Sequence, residues 1–280
     1  MSKKNIFETL KTLDFIDNGK TLSHPIIETH CHLDYLKNIE LDLLLTATAN
    51  LGIEKIITIA VSPHNFQTVL DLSNKYPNVY CTQGIHPHQA IEYTPSCLVT
   101  LKQNINSNKV VAIGEIGLDY YYNKSPIDTQ RKVFEEHLQL AIDANLPVVI
   151  HTRDADEDTI SILKNFSPQL KEKGVIHSFT SGIELAQFAL SEGFVLGFNG
   201  IITFKNALNV VGILEMTPLN SLLLETDAPF LTPTPHRGEE NNSLYLPLIA
   251  QKIATVKNVS ALQVLKTCYK NTLRVFPKLA

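Results

Sequence analysis

Six side chains that can hold a metal ion follow one another down this chain, each just after a short apolar run. His30 and His32 follow Pro25-Ile26-Ile27, Glu115 follows Val110-Val111-Ala112-Ile113, and His151 follows Pro147-Val148-Val149-Ile150. His177 comes after Val175-Ile176, and Asp227 after Leu222-Leu223-Leu224. The chemistry this suggests is metal-assisted hydrolysis, in which a bound ion activates water and polarises the bond to be cut.

His30-Cys31-His32 puts two imidazoles at i and i+2, on the same side of a strand, so both can reach one ion. Cys31 points the other way and reads as a packed thiol. Glu115 sits between glycines in Gly114-Glu115-Ile116-Gly117, where a buried carboxylate would be costly without a cation beside it. One carboxylate can bridge two ions through its two oxygens; pairing with a basic residue at the barrel mouth is the alternative. His151 and His177, each at a strand end, add a second metal site. Asp227 is expected to bind the first ion and to take a proton from the activated water.

Short apolar runs alternating with amphipathic stretches must position these groups. Candidate strands lie near 25–30, 55–61, 78–84, 109–115, 147–151, 174–178, 193–198 and 220–226. Strand followed by ligand, repeated, predicts a (β/α)8 TIM barrel with its metal centre at the C-terminal rim. The clearest helix opens at Ser125-Pro126-Ile127-Asp128, with Ser125 expected as N-cap and Asp128 completing a capping-box-like pair. Two more helices are expected over about 244–275, the second opening at Ser260. Residues 1–24 read as an N-terminal extension, a short helix plus a polar turn at Asp17-Asn18-Gly19-Lys20, and 25–280 as one barrel domain.

The 280 residues are 44% hydrophobic, enough for a large core. A net charge of −4 lacks the basic balance of a general nucleic-acid binder, although bound divalent ions could supply positive charge at a phosphate. The four cysteines form no CxxC, which fits reduced thiols in a cytoplasmic protein. Neither a secretion signal nor a membrane-spanning run is read, and no obligate protein partner is evident.

The motifs ETHCHLD, GIHPH (Gly84–His88), GEIGLDYY, QRKVFEEHLQLA, HTRDA, HSFTSG and LETDAP resemble signature segments of the TatD-type deoxyribonucleases of the amidohydrolase superfamily. The resemblance covers most of the chain, from about residue 26 to about 240. It implies a TIM barrel with two divalent ions (Mg, Mn or Zn) acting as a 3′→5′ exonuclease on single-stranded DNA, with RNA ends also within the family's range. His30, His32 and Asp227 would hold one ion, His151 and His177 the other, and Glu115 would bridge them. His86 would face the scissile phosphate, and Arg153 would orient substrate or Asp154. The four histidines favour Zn²⁺, Mn²⁺ or Fe²⁺ over Mg²⁺, whereas the family's nuclease chemistry resembles Mg²⁺ dependence.

Two departures stand out. The family usually has Asp where this chain has Glu28, a change expected to alter support for His30 or His32. A basic stretch resembling RGKRNEP reads Arg237-Gly238-Glu239-Glu240-Asn241-Asn242 here. Arg237 keeps a substrate-contacting position, but the acidic pair should repel a phosphodiester. That pair favours an alternative reading in which the same centre cuts an ester or amide, such as D-aminoacyl-tRNA or a small-molecule ester. A non-catalytic binding barrel is the third reading, and the intact ligand set argues against it.

Overall fold

The computed structural model describes residues 24–280, together with the backbone of Ile16–Asp17 and Lys20–Thr21. Those two short strands pair antiparallel, Ile16 with Thr21 and Asp17 with Lys20, while Asn18 and Gly19 of the expected polar turn lie outside the described residues. The short helix expected before them lies outside the described residues.

Eight strands follow: β1 (Ile26–Cys31), β2 (Ile53–Thr58), β3 (Val79–Gln83), β4 (Val110–Asp119), β5 (Val148–Arg153), β6 (Gly174–Ile176), β7 (Val195–Phe198) and β8 (Leu222–Leu224). They form one sheet in unbroken sequence order. Between successive strands lie α1 (Leu41–Asn50), α2 (Phe66–Lys75), α3 (Pro95–Asn104), α4 (Ile127–Ala144), α5 (Asp156–Phe166), α6 (Ile183–Ser191) and α7 (Leu208–Met216). The helices α8 (Leu246–Lys257) and α9 (Ala261–Val275) close the chain. This is the (β/α)8 TIM-barrel fold. Every residue of β1 and β4 is buried, as expected for parallel strands covered on both faces.

By internal packing the chain divides into two compact units, Met1–Ile57 with Phe198–Thr272, and Thr58–Gly197 with Leu273–Ala280. In the first, β1 is tied to β8 and the segment after it. Thr29 Oγ1 donates to Leu224 O at 3.0 Å, Asp227 N to His30 O at 2.9 Å, and His32 N to Ala228 O at 2.7 Å. Cys31 is fully buried with its thiol against Ile57 O, the packed role expected of it. All four cysteines are buried and outside disulfides. The Ser260 hydroxyl accepts from Gln263 N at 3.1 Å and caps α9, as the sequence suggests.

In the second unit, β3 to β7 pair in parallel. The register slips between Gly114 and Ile116, leaving Glu115 as the extra residue of a β-bulge. Gly117 lies opposite His151, and a Cβ there would meet the His151 carbonyl at 1.9 Å, so only glycine fits. The helix α4 buries Val133, Phe134, Leu138 and Ala141 at helical spacing. Its start differs from expectation. Pro126 is the N-cap residue and no side chain caps the helix. The Ser125 hydroxyl instead donates to His88 O at 2.9 Å and accepts from Ile91 N at 3.1 Å, bonds that serve a distant loop. Among the described residues no helix is long and apolar enough to cross a membrane.

Candidate metal centre

In the first unit, β1 delivers His30, the residue just past its end is His32, and the segment after β8 delivers Asp227. His30 Nε2 and His32 Nε2 lie 3.7 and 3.5 Å from Asp227 Oδ1. Ligand atoms about 2.0–2.2 Å from a tetrahedral ion sit roughly 3.4 Å apart, so the three converge at ligand spacing. Asp227 has φ 59°, a left-handed conformation uncommon outside glycine, and its surroundings enforce it. The fully buried Glu28 accepts from His30 N at 3.2 Å and Thr226 N at 3.0 Å through Oε1, and from Thr226 Oγ1 at 2.7 Å through Oε2. Burial pushes the Glu28 carboxyl up to about 8, against the pull of these donors. The longer carboxylate thus supports the peptide groups at His30 and just before Asp227, not an imidazole ring.

In the second unit, Glu115 Oε1 gathers three imidazoles: His177 Nε2 at 2.7 Å, His151 Nδ1 at 3.1 Å and His86 Nε2 at 3.4 Å. His151 Nδ1 and His177 Nε2 are 3.4 Å apart. His151 Nε2 meets Asp119 Oδ2 at 3.0 Å, which assigns the ring proton of neutral His151 to Nε2 and turns the Nδ1 lone pair toward the Glu115 carboxylate. Two electron-rich atoms at that distance need a proton or a cation between them, so this donor set fits a divalent ion. Burial alone would raise Glu115, but His177, His86 and His151 hold it well below the usual carboxylate range. Burial also opposes charge on His151, where Asp119 and Glu115 prevail and raise its pKa. Burial takes His86 down to about 4 despite the nearby Glu115, leaving it neutral near pH 7.

The chain matches the family of TatD-related DNases over residues 27–277. The metal-dependent hydrolase YabD of Bacillus subtilis is 35% identical over 252 residues, 90% of this chain and 98% of that protein. The chain belongs to the TatD family. It is a metal-dependent hydrolase, an enzyme whose His, Glu and Asp clusters could hold metal ions. The crystal structure of the Escherichia coli TatD homologue YjjV superimposes with TM-score 0.84 at 30% identity, covering 90% of this chain and 98% of that one. The deoxyribonuclease Tat-D of Schizosaccharomyces pombe is 29% identical over 306 residues, covering 96% and 97% of the two chains.

In this TatD chain the three residues expected to meet substrate have distinct surroundings. His86 Nδ1 accepts from His88 N at 3.1 Å, so its ring proton is on Nε2, in the Glu115 cluster. The Arg153 guanidinium lies 4.0 Å from the Tyr121 ring centre and 4.8 Å from that of Tyr122. It forms no ion pair with Asp154. The Arg237 guanidinium stacks 3.6 Å over Phe204.

The acidic pair is engaged locally. Glu240 accepts from Lys37 N at 3.1 Å and Asn38 N at 2.8 Å. Glu239 accepts from the Tyr245 hydroxyl at 3.0 Å. Asn241, fully buried, donates to the carbonyls of Thr226 and Phe230 on either side of Asp227.

Asp119 is the functional residue the sequence reading passed over. Fully buried, it takes His151 Nε2 and His88 Nε2 on Oδ2, at 3.0 and 2.9 Å, and Tyr122 N on Oδ1 at 2.8 Å. Burial alone would raise it, and these donors bring it far below the ordinary value. A usable signal existed: Glu115 and Asp119 are four residues apart on one strand, hence on one face, by the same alternation that pairs His30 with His32.

Proposed function

We propose that this enzyme is a 3′→5′ exonuclease on single-stranded DNA, working through two divalent ions, one held by each donor set. What carries the reading is that the donor atoms of each set converge, on Asp227 at 3.5–3.7 Å and on Glu115 at 2.7–3.1 Å. The likeness to the Tat-D deoxyribonuclease over nearly the whole of both chains supports a nucleic-acid substrate.

The bound ions would act as Lewis acids, lowering the pKa of water and neutralising charge at the phosphate. Asp227, with its side chain 14% exposed, would accept the proton released by the attacking water. His86, neutral and protonated on Nε2, can donate to a non-bridging phosphate oxygen. Asp119 holds His151 in the tautomer that presents Nδ1. The acidic pair lends little support to an ester or amide substrate, because both carboxylates have bonding roles in the fold.

The test is a digestion time course on 3′- and 5′-labelled single-stranded DNA with Mg²⁺, Mn²⁺ or Zn²⁺, with Glu115→Ala as control. A ladder shortening from the 3′ end, lost in the folded variant, is expected. No cleavage with any metal, or wild-type rates in Glu115→Ala, overturns the reading.

A further inference from the structure

Tyr120, Tyr121 and Tyr122 follow directly on Asp119, and the side chain of the first is tied into the fold. Its hydroxyl donates to Asp158 Oδ2 at 2.6 Å and its N–H to Arg153 O at 2.9 Å. Tyr121 and Tyr122 are 57% and 52% exposed, a large aromatic surface left in water. Their rings meet edge to face at 4.9 Å, with the Arg153 guanidinium over both and Lys124 Nζ 5.6 Å from Tyr122. Tyr122 is edge-on to His88 at 5.3 Å, and His88 is 4.4 Å from His86.

The mount is rigid. One oxygen of Asp119 takes the Tyr122 N–H while the other holds His88 and His151, so a single buried carboxylate registers the tyrosine pair against a metal-ligating histidine. A protein partner would gain from an apolar rim, whereas this pair is flanked by cations. Open aromatic rings interleaved with Arg and Lys, one ring removed from His86, match a polyanion that carries flat bases. We propose that Tyr121 and Tyr122, with Arg153 across them, form a stacking platform for unpaired bases at the end of a single-stranded nucleic acid. Such stacking tolerates any base, since each has a π-face. The inference rests on the nuclease reading above and assigns its base-binding subsite.

The experiment compares wild type, Tyr121→Ala/Tyr122→Ala and Tyr121→Phe/Tyr122→Phe on DNA strands whose last two 3′ nucleotides carry bases or are abasic. The alanine pair is expected to raise KM for base-bearing ends by about tenfold or more, the loss falling on KM rather than kcat. It should also collapse the preference for base-bearing over abasic ends toward one, and the phenylalanine pair should restore that preference. Binding is read separately in Glu115→Ala full-length protein with a 3′-terminal 2-aminopurine strand. Stacking is expected to quench its fluorescence, and the added alanine pair to abolish the quench. An unchanged preference ratio, or a quench that survives the alanine pair, overturns the platform. Absence of cleavage in wild type would strike the nuclease reading alone, because the quench still decides the platform.

Discussion

His30 and Asp227 are set by what their peptide groups bond to, whereas His151 is set by what its ring bonds to. In the first unit Glu28 takes the N–H groups of His30 and Thr226, and Asn241 takes carbonyls on either side of Asp227. In the second, Asp119 grips the outer nitrogen of His151 directly. Support through the backbone makes ligand placement part of folding. Support through a ring nitrogen fixes tautomer and basicity, which are properties of metal affinity. Damage to the first should therefore appear as lost stability, and damage to the second as lost metal and rate in a well-folded protein.

Among the supporting residues Asp119→Asn should have the largest effect, lowering metal affinity or activity about 10- to 100-fold with little change in the unfolding midpoint. Metal titration with a chelator competitor, run beside thermal melts, checks this. A large fall in melting temperature with normal affinity would erase the contrast. Glu28→Ala strands the His30 N–H, the Thr226 N–H and the Thr226 hydroxyl, and should cost about 2–4 kcal/mol in urea unfolding. Glu28→Asp should cost less. Loss of metal binding at unchanged stability in Glu28→Ala would show that the carboxylate acts on ligand chemistry after all. Smallest is Glu240→Lys, which removes the acceptor for Lys37 and Asn38 and should cost about 1 kcal/mol. Its KM for DNA should move by less than about threefold, as for an exposed charge already engaged. A large gain in DNA cleavage would return that pair to the role of a repulsive gate.

What could be read from sequence was local. Apolar runs bounded by Pro and Gly marked the strands, and His30-Cys31-His32 announced itself by alternation. What escaped were supporting side chains whose partners are distant in the chain. Ser125 looks like a helix cap until His88 O and Ile91 N claim its hydroxyl. Glu240 looks like an unpaired charge until Lys37 and Asn38, about two hundred residues earlier, donate to it. Asp119 was within reach of the alternation argument, which was applied only to His30 and His32. The bulge at Glu115 leaves no mark that periodicity could detect.

If each donor set holds its own ion, metal content per chain after equilibrium dialysis against Mn²⁺ or Zn²⁺ should be two in wild type. It should be one in His30→Ala/His32→Ala and one in His151→Ala/His177→Ala, with all three proteins folded. A single ion in wild type, or the same count in all three, would rule out two separate sites.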